Sequence, residues 1–289
     1  MGSSVTRAAR TDQDAAADLA DWLGGHLAPL TVLGVGATEL AGEWSAVADL
    51  SHHLVCDPLA SAAGGRGEDR TVLAVAVSPH GGQERLNVTR RPERSSLLEP
   101  NRTVLARYGG SAEFEVVDRR AVATTTPIAL AREHGGIDVL RVDAGGCEYE
   151  LLSAALPSLG STVCVEVAGG LVENYVGQYA FGIVAALLHG AGFTLTDLAC
   201  TGRPESGRRG RVQPLEYRGR WLREPVVTPG GLSFQSAIKL LVLAQRLGHL
   251  AFARRLAAAL RAESLLPERY HRVLRHGGWQ QLDQCSARG

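Results

Sequence analysis

The chain has 289 residues, 45% of them hydrophobic and 21% charged, which is enough for one large domain or two small ones. Lys and Arg together number 30, as do Asp and Glu, so the sequence lacks the basic excess typical of nucleic-acid-binding proteins. The five cysteines are not closely spaced, which argues against a disulfide framework or a zinc knuckle. No apolar run reaches the roughly 20 residues of a membrane span, and the N-terminus lacks a signal-peptide pattern. We therefore expect a cytoplasmic protein with no nucleic-acid or membrane partner.

The first two thirds of the sequence alternate helical patterns with short apolar runs. A helical pattern, "DQDAAADLADWLGGHL", comes first and ends at paired glycines. Seven apolar runs follow in chain order, with helix-sized segments between the later ones: "PLTVLGVGA", "HHLVCDP", "RTVLAVAVS", "FEVVDRRAV", "IDVLRVDAGG", "STVCVEVAGG" and "FTLTDLACTG". Runs of this length between helical segments indicate strands that are buried on both faces. The pattern predicts βαβ units and a mostly parallel sheet.

The last 60 or so residues are strongly helical and contain "LSFQSAIKLLVLAQRLGHLAFARRLAAAL". We predict an N-terminal domain over 1–228, which includes the first helix, and a C-terminal helical extension over 229–289. The extension has more apolar residues than one isolated helix can bury, so it could form a homodimer interface or a lid. An Arg-rich loop over 203–211 could meet an anionic group, but it is more often a solvated loop.

Glycine or an acid ends four of the apolar runs, and ligands of parallel sheets bind at this end of the strands. Gly34 and Gly36 form a glycine turn after the first run, without the GxGxxG spacing of a dinucleotide site. Asp57 ends the next run and could accept the hydroxyls of an adenosine ribose. The alternative for Asp57 is an Asx turn or helix cap before a proline.

Asp143, Glu148 and Glu166 are acids at or just after the ends of two later runs. A carboxylate followed by a glycine turn could act as a general base, orient a hydroxyl or hold a divalent ion. Equally, Asp143 could cap a helix that has Glu148 in its first turn. Three acids on neighbouring strands would be costly unless they are paired, hydrated or bound to metal.

Several blocks of the sequence resemble the FkbM family of S-adenosylmethionine-dependent methyltransferases. "IDVLRVDAGGCEYELLSAALPSL" is similar to the family's Ile-Asp, Leu-Lys-Ile-Asp, glycine turn, Ala-Glu and Leu-rich helix. "VCVEV" with "NYVGQYAFGIVAALLHGAGFTLTDL", and "TVLAVAVSPHGGQERLNVTRRPERSSLLEPN", resemble two further blocks. The resemblance covers roughly 30–225. It departs at the first motif, where "GVGAT" stands for Asp-Val-Gly-Ala-Asn, and at Asp57, Arg141 and Cys147, where the family has Glu, Lys and Ala.

The resemblance implies a Rossmann-like class I methyltransferase fold, an α/β fold with a mostly parallel central sheet flanked by helices. It also implies S-adenosylmethionine as cofactor and methylation of a hydroxyl on a small molecule, a natural product or a sugar. Residues implied for the cofactor are Gly34, Gly36, Ala37, Asp57, Ser96 and Asn101, and those for the substrate are Arg141, Tyr175 and Gln178. Asp143, Glu148 and Glu166 would orient or deprotonate the acceptor, directly or through a divalent ion such as Mg²⁺ on Asp143 and Glu166. The alternative is a methyltransferase-fold protein that binds a ligand or partner without catalysis.

Overall fold

The structure, a computed structural model, describes most of the chain between residues 27 and 262. The described residues are 22, 25, 27–36, 42–60, 65–67, 69–202, 213–224, 232–262 and 266. Most of the predicted N-terminal helix, Ala37 and the Arg-rich loop lie outside them. The chain divides into two compact units, 30–228 and 1–29 together with 229–289. The predicted domains, 1–228 and 229–289, differ from these units in assigning 1–29 to the first domain.

Two sheets form the framework of the larger unit. The eight-stranded sheet contains β1 (Leu30–Val35), β2 (Ser51–Cys56), β3 (Gly65–Arg66), β4 (Arg70–Leu73), β8 (Val139–Val142), β9 (Cys164–Gly170), β10 (Phe193–Thr201) and β11 (Glu216–Arg223). The three-stranded sheet contains β5 (Ala76–Val77), β6 (Gly82–Thr89) and β7 (Val116–Thr125). The helices are α1 (Arg102–Arg107), α2 (Pro127–Glu133), α3 (Glu148–Ala155) and α4 (Phe181–Gly190), with 3₁₀ segments at Gly42–Leu50, Pro92–Arg94 and Leu156–Ser158.

The strand order of the large sheet is β10-β11-β9-β8-β1-β2-β4-β3. The neighbours from β9 to β4 pair in parallel, whereas β11 pairs antiparallel with both β9 and β10. A parallel sheet with an antiparallel strand inserted next to one edge is the arrangement of the class I methyltransferase fold. The structure therefore confirms the predicted Rossmann-like class, a mostly parallel sheet flanked by helices.

The parallel strands are buried because helices cover them. Every residue of β8 is buried, as are Leu33, Val165 and Val167 in the strands beside it. Leu151 and Leu152 of α3 are fully buried in the same core. Burial of a Leu side chain is worth about 1.5–3 kcal/mol, so α3 is fixed firmly against the sheet. Rigid strands and a fixed α3 hold the connecting turn after β8 in place.

The order of the strands also locates the switch point of the sheet. From β1 the chain builds outward through β2 and β4, then returns to place β8 on the other side of β1. The crevice between the carboxyl ends of β1 and β8 is where ligands of such sheets bind. Gly36 follows β1 and Asp143 follows β8, so both lie at this crevice.

The smaller unit contains α5 (Phe234–Arg246) and α6 (Leu250–Ala262), which pack against each other. The Ser233 hydroxyl caps α5 by accepting a hydrogen bond from the Ser236 amide at 3.0 Å. Gly248, with φ +79, lies in the short connection between the helices. Among the described residues no helix is long and apolar enough to cross a membrane.

Candidate functional site

A close approach of two backbone segments forms the centre of the candidate site. The Asp143 amide donates a hydrogen bond to the Val35 carbonyl, at 2.9 Å, just beyond the paired ends of β1 and β8. Gly36 has φ +68, and a Cβ atom built there would collide with the Asp143 carbonyl oxygen. Only glycine therefore fits at this position, both for its backbone conformation and for the space available.

A first cavity of about 240 Å³ opens beside this contact. Its polar lining includes Asp57, Ser96 and Asp143, together with the backbone of Gly36. Its apolar wall is formed by Val35, Cys56, Leu59, Ala76, Val77, Leu86 and Leu97. A mostly apolar pocket with a few convergent polar groups is the usual form of a site for a small molecule or cofactor.

Asp57 lies at the end of β2, as predicted, and lines the first cavity. One of its carboxylate oxygens accepts a hydrogen bond from the Leu59 amide at 2.8 Å, which is an Asx turn. The structure thus contains the turn that the sequence left as an alternative. Each carboxylate oxygen has two lone pairs, so the same group retains acceptor capacity toward the cavity.

Ser96 ties a surface loop to the glycine turn that follows β8. Its hydroxyl donates to the Gly145 carbonyl at 2.6 Å and accepts from the Leu98 amide at 2.9 Å. The side chain is buried, and the residue lines the first cavity. Because both hydrogen bonds are internal, Ser96 fixes the cavity wall whether or not it contacts a ligand.

Glu148 braces the same glycine turn from the first turn of α3. One of its carboxylate oxygens accepts hydrogen bonds from the Ala144 amide at 3.2 Å and the Gly146 amide at 2.9 Å. The side chain is only 3% exposed, and this burial raises its pKa to about 7, although the amide hydrogen bonds oppose the shift. The nearby Asp143 charge adds to the increase.

Asp143 lies where the first cavity meets a second one. The second cavity, of about 350 Å³, is lined by Asp143, Glu148, Tyr175 and residues of β9 and β11. Burial raises the pKa of the Asp143 carboxyl, and the positive charges of Arg218 and Arg94 partly oppose that rise. A carboxylate between two cavities can act on one ligand while it faces another.

The charged lining of the second cavity contains both signs. The cations are Arg91, Arg94 and Arg218, and the acids are Glu93, Asp143, Glu148 and Glu216. Arg94 pairs with Glu216 at 2.6 Å, and Arg218 contacts Glu166 at 3.2 Å. Such a surface offers a ligand both hydrogen-bond donors and acceptors.

Glu166 is the centre of a buried ion cluster and lines none of the described cavities. Its carboxylate accepts from Arg141, Arg218 and Arg220 and, at 3.0 Å, from the indole nitrogen of Trp44. Burial raises the pKa of this carboxyl, but the arginines and Trp44 outweigh it and hold the pKa below its usual range. A carboxylate stabilised in this way is a poor base. The structure thus gives Glu166 a place in a buried ion cluster, and its catalytic role stays a prediction.

Arg141, predicted to bind substrate, belongs to this cluster instead. Its guanidinium group contacts Glu166 at 3.2 Å and lies over the Trp44 ring at 4.9 Å. The residue is buried in β8 and lines none of the described cavities.

The remaining predicted residues divide between the cavities and the framework. Tyr175 lines the second cavity, and its hydroxyl donates to the Arg94 carbonyl at 2.9 Å. Gln178 donates to the Gly170 carbonyl at 3.1 Å, and Asn101 caps α1 by accepting from the Val104 amide at 3.2 Å. Gly34 is buried inside β1, between Val55 and Arg141. The structure thus gives Gln178, Asn101 and Gly34 roles in the framework.

The donor set does not fit a Mg²⁺ ion on Asp143 and Glu166, which the sequence left open. The described residues contain no group of three His, Cys, Asp or Glu side chains placed to hold a metal ion. Glu166 is bound to three guanidinium groups, and one Glu148 oxygen is bound to two amides.

The sequence interpretation missed the side of the second cavity that β11 and the loop before α1 provide. Arg94, Glu216, Tyr217 and Arg218 all line it. "EYRGRWLR" does alternate in part, because Tyr217 and Trp221 are buried while Arg218 is half exposed. That alternation could have indicated a strand, but the three arginines in the run make the segment look like a polar loop.

Comparisons with known proteins gave matches among solved structures. No family model matches the chain, and no curated protein matches it. Magnesium protoporphyrin IX methyltransferase from Synechocystis PCC 6803, solved with bound SAM, is 13% identical, with a TM-score of 0.28. The match covers 77% of this chain and 85% of that one. The assignment of the fold rests on the order and direction of the strands.

Proposed function

We propose that the protein is an S-adenosylmethionine-dependent O-methyltransferase acting on a hydroxyl of a small molecule. The observation that carries the proposal is the position of Asp143 between two cavities at the switch point of a methyltransferase-type sheet. Methyl transfer needs such a junction, because the acceptor oxygen must lie close to the methyl carbon and opposite the departing sulfur.

The residues of the first cavity fit the cofactor. The apolar wall suits an adenine ring, the Asp57 carboxylate suits the ribose hydroxyls, and the Gly36 backbone allows close approach. When bound, S-adenosylmethionine supplies a methyl group on a positively charged sulfur. Asp143 would face that charge with its own negative charge, which favours binding at this end of the cavity.

In this proposal Asp143 accepts the proton of the acceptor hydroxyl. The pKa of an alcohol lies far above neutrality, so its oxygen is a weak nucleophile until a base removes the proton. Burial raises the pKa of Asp143 and makes its carboxylate a stronger base than an exposed one. Glu148 holds the turn that carries Asp143 and is a positioning residue.

A binding protein without catalysis is the second candidate. It is favoured by Gly34, which stands where the resembled family has an acid and is buried in β1 with no side chain to offer a cofactor. The two candidates differ in turnover and not in fold.

The test is formation of S-adenosylhomocysteine from S-adenosylmethionine by the purified chain, with a panel of hydroxylated sugars and polyketides as acceptors. Mass spectrometry of the acceptor should show the addition of one methyl group per cofactor consumed. Cofactor binding with no methylated product from any acceptor class would favour the binding protein.

A further inference from the structure

The second cavity borders a third one away from Asp143. The third cavity has a volume of about 270 Å³ and shares Arg91, Arg94, Asn174, Thr201 and Glu216 with the second. A single water needs about 10–15 Å³ of such volume, so the third cavity has room for one pyranose ring with its hydroxyls. The second cavity, at about 350 Å³, is larger. The shared lining residues place the two cavities side by side, and Asp143 lines the second one.

The ion pair of Arg94 with Glu216 lines both cavities. It is bidentate, with nitrogen–oxygen distances of 2.6 and 3.2 Å, and about a quarter to a third of each side chain is exposed. The Arg94 guanidinium lies over the Phe114 ring at 5.3 Å, and the Arg94 carbonyl accepts the Tyr175 hydroxyl. A bidentate pair that packs on an aromatic ring presents donors and acceptors in fixed positions.

The charges of the third cavity select a neutral polar ligand. Its lining carries Arg91 and Arg94 against Glu113 and Glu216, so the formal charges of these four sum to zero. An anion would meet the two carboxylates, and a cation would meet the two guanidinium groups. An apolar ligand would remove water from these partly exposed ion pairs and offer no hydrogen bonds in return, which carries a penalty. Sugar hydroxyls both donate and accept, and they can satisfy either partner of each pair.

We propose that the acceptor is a neutral glycoside of at least two sugar units, with the reacting hydroxyl at Asp143 and the second unit in the third cavity. Tyr108 lines the third cavity only and is the distal contact for that second unit. The proposal rests on the proposed function and narrows its substrate class.

The experiment compares acceptors of two lengths. Methyl glycosides of glucose, galactose and rhamnose, and disaccharide methyl glycosides built from them, are incubated with the full chain and S-adenosylmethionine. We expect kcat/KM for the best disaccharide to exceed that for its parent monosaccharide by about tenfold or more, because contacts in the third cavity add binding energy.

Two tyrosine variants locate the effect. Tyr108→Ala should reduce the disaccharide advantage to about threefold or less and leave monosaccharide turnover unchanged. Tyr179→Ala is the matched control, since Tyr179 is 43% exposed and lines none of the described cavities. This variant should leave kcat/KM unchanged for both the monosaccharide and the disaccharide. Equal kcat/KM for both lengths, or an equal loss on both in Tyr108→Ala, would overturn the proposal.

Saturation-transfer NMR with the same glycosides separates this proposal from the proposed function, because it requires no methyl transfer. Wild-type protein should saturate protons of both rings of a disaccharide, and Tyr108→Ala should saturate only one. This result without turnover would refute the methyltransferase activity and keep the saccharide site. Turnover only of apolar hydroxylated acceptors, with no saturation of any sugar, would keep the methyltransferase and refute the saccharide class.

Discussion

At the scale of single residues, Asp143 and Glu148 carry the proposed chemistry and have different roles. Both follow β8, both line the second cavity, and burial raises the pKa of both. One carboxylate oxygen of Glu148 accepts hydrogen bonds from two backbone amides. Asp143, in contrast, also lines the first cavity. The sequence alone placed both acids at the site, but it could not separate their roles because the amide partners depend on the shape of the turn.

Asp143→Asn should lower kcat by about 10²–10⁴-fold, because the amide cannot accept the proton of the acceptor. The amide has nearly the same shape, so the fold should persist. Steady-state kinetics and circular dichroism measure the two properties. Asp197→Asn, at an exposed position of β10, is the control and should match the wild type. Turnover near the wild-type rate in Asp143→Asn would remove Asp143 from the mechanism.

Glu148 should make folding stability depend on pH in a defined direction. Its folded pKa of about 7 exceeds the ordinary value of about 4.3, so between these pH values the folded chain binds more protons than the unfolded chain. The stabilisation of the folded state that results from this raised pKa is complete below about pH 4.3. It is lost as the pH rises through about 7. Glu148→Gln does not titrate. Its free energy of unfolding relative to wild type should therefore rise by roughly 2–3 kcal/mol between pH 5 and pH 8.

Urea unfolding at both pH values measures this difference. Glu133→Gln, at an exposed position of α2, serves as the control and should show no such change. A difference between Glu148→Gln and wild type that is the same at pH 5 and pH 8 would show that Glu148 is not a titrating buried group.

At the scale of elements, β11 connects the framework to the site. On one side its Arg220 pairs with Glu166 of β9, and on the other its Tyr217 lines the second cavity. The parallel strands were predictable because runs such as "IDVLRV" are apolar throughout. β11 was not predictable, because its sequence is rich in arginine and resembles a polar loop. Only the structure shows that these arginines pair with acids on other elements. "RTVLAVAVS", predicted as one strand, divides into β4 and β5 in different sheets.

Glu166→Gln should lower the free energy of unfolding by about 3–5 kcal/mol. The substitution leaves Arg141 and Arg220 buried without the carboxylate that now neutralises them. Glu115→Gln removes an exposed pair with Arg90 and should cost at most about 1 kcal/mol. Chemical denaturation of both variants provides the comparison. Unchanged stability together with lost turnover in Glu166→Gln would support the catalytic role that the sequence suggested.

At the scale of the whole molecule, the helical extension raises the question of assembly. Its apolar content led us to expect that it could form a homodimer. In the structure, however, Leu240, Leu241 and Leu243 of α5 and Leu256 of α6 are already buried. We therefore expect light scattering during gel filtration to give the monomer mass of 30.6 kDa. Twice that mass at micromolar protein would support the homodimer.

The central claim is that the first cavity binds S-adenosylmethionine, and calorimetric titration tests it most directly. We predict one site per chain with micromolar affinity for S-adenosylmethionine and S-adenosylhomocysteine. Gly36→Ala should abolish binding, because its Cβ would strike the Asp143 backbone. Gly160→Ala, at an open position, should bind like the wild type. Absence of binding to the wild-type chain at millimolar cofactor would contradict the account and return Asp143 to a structural role.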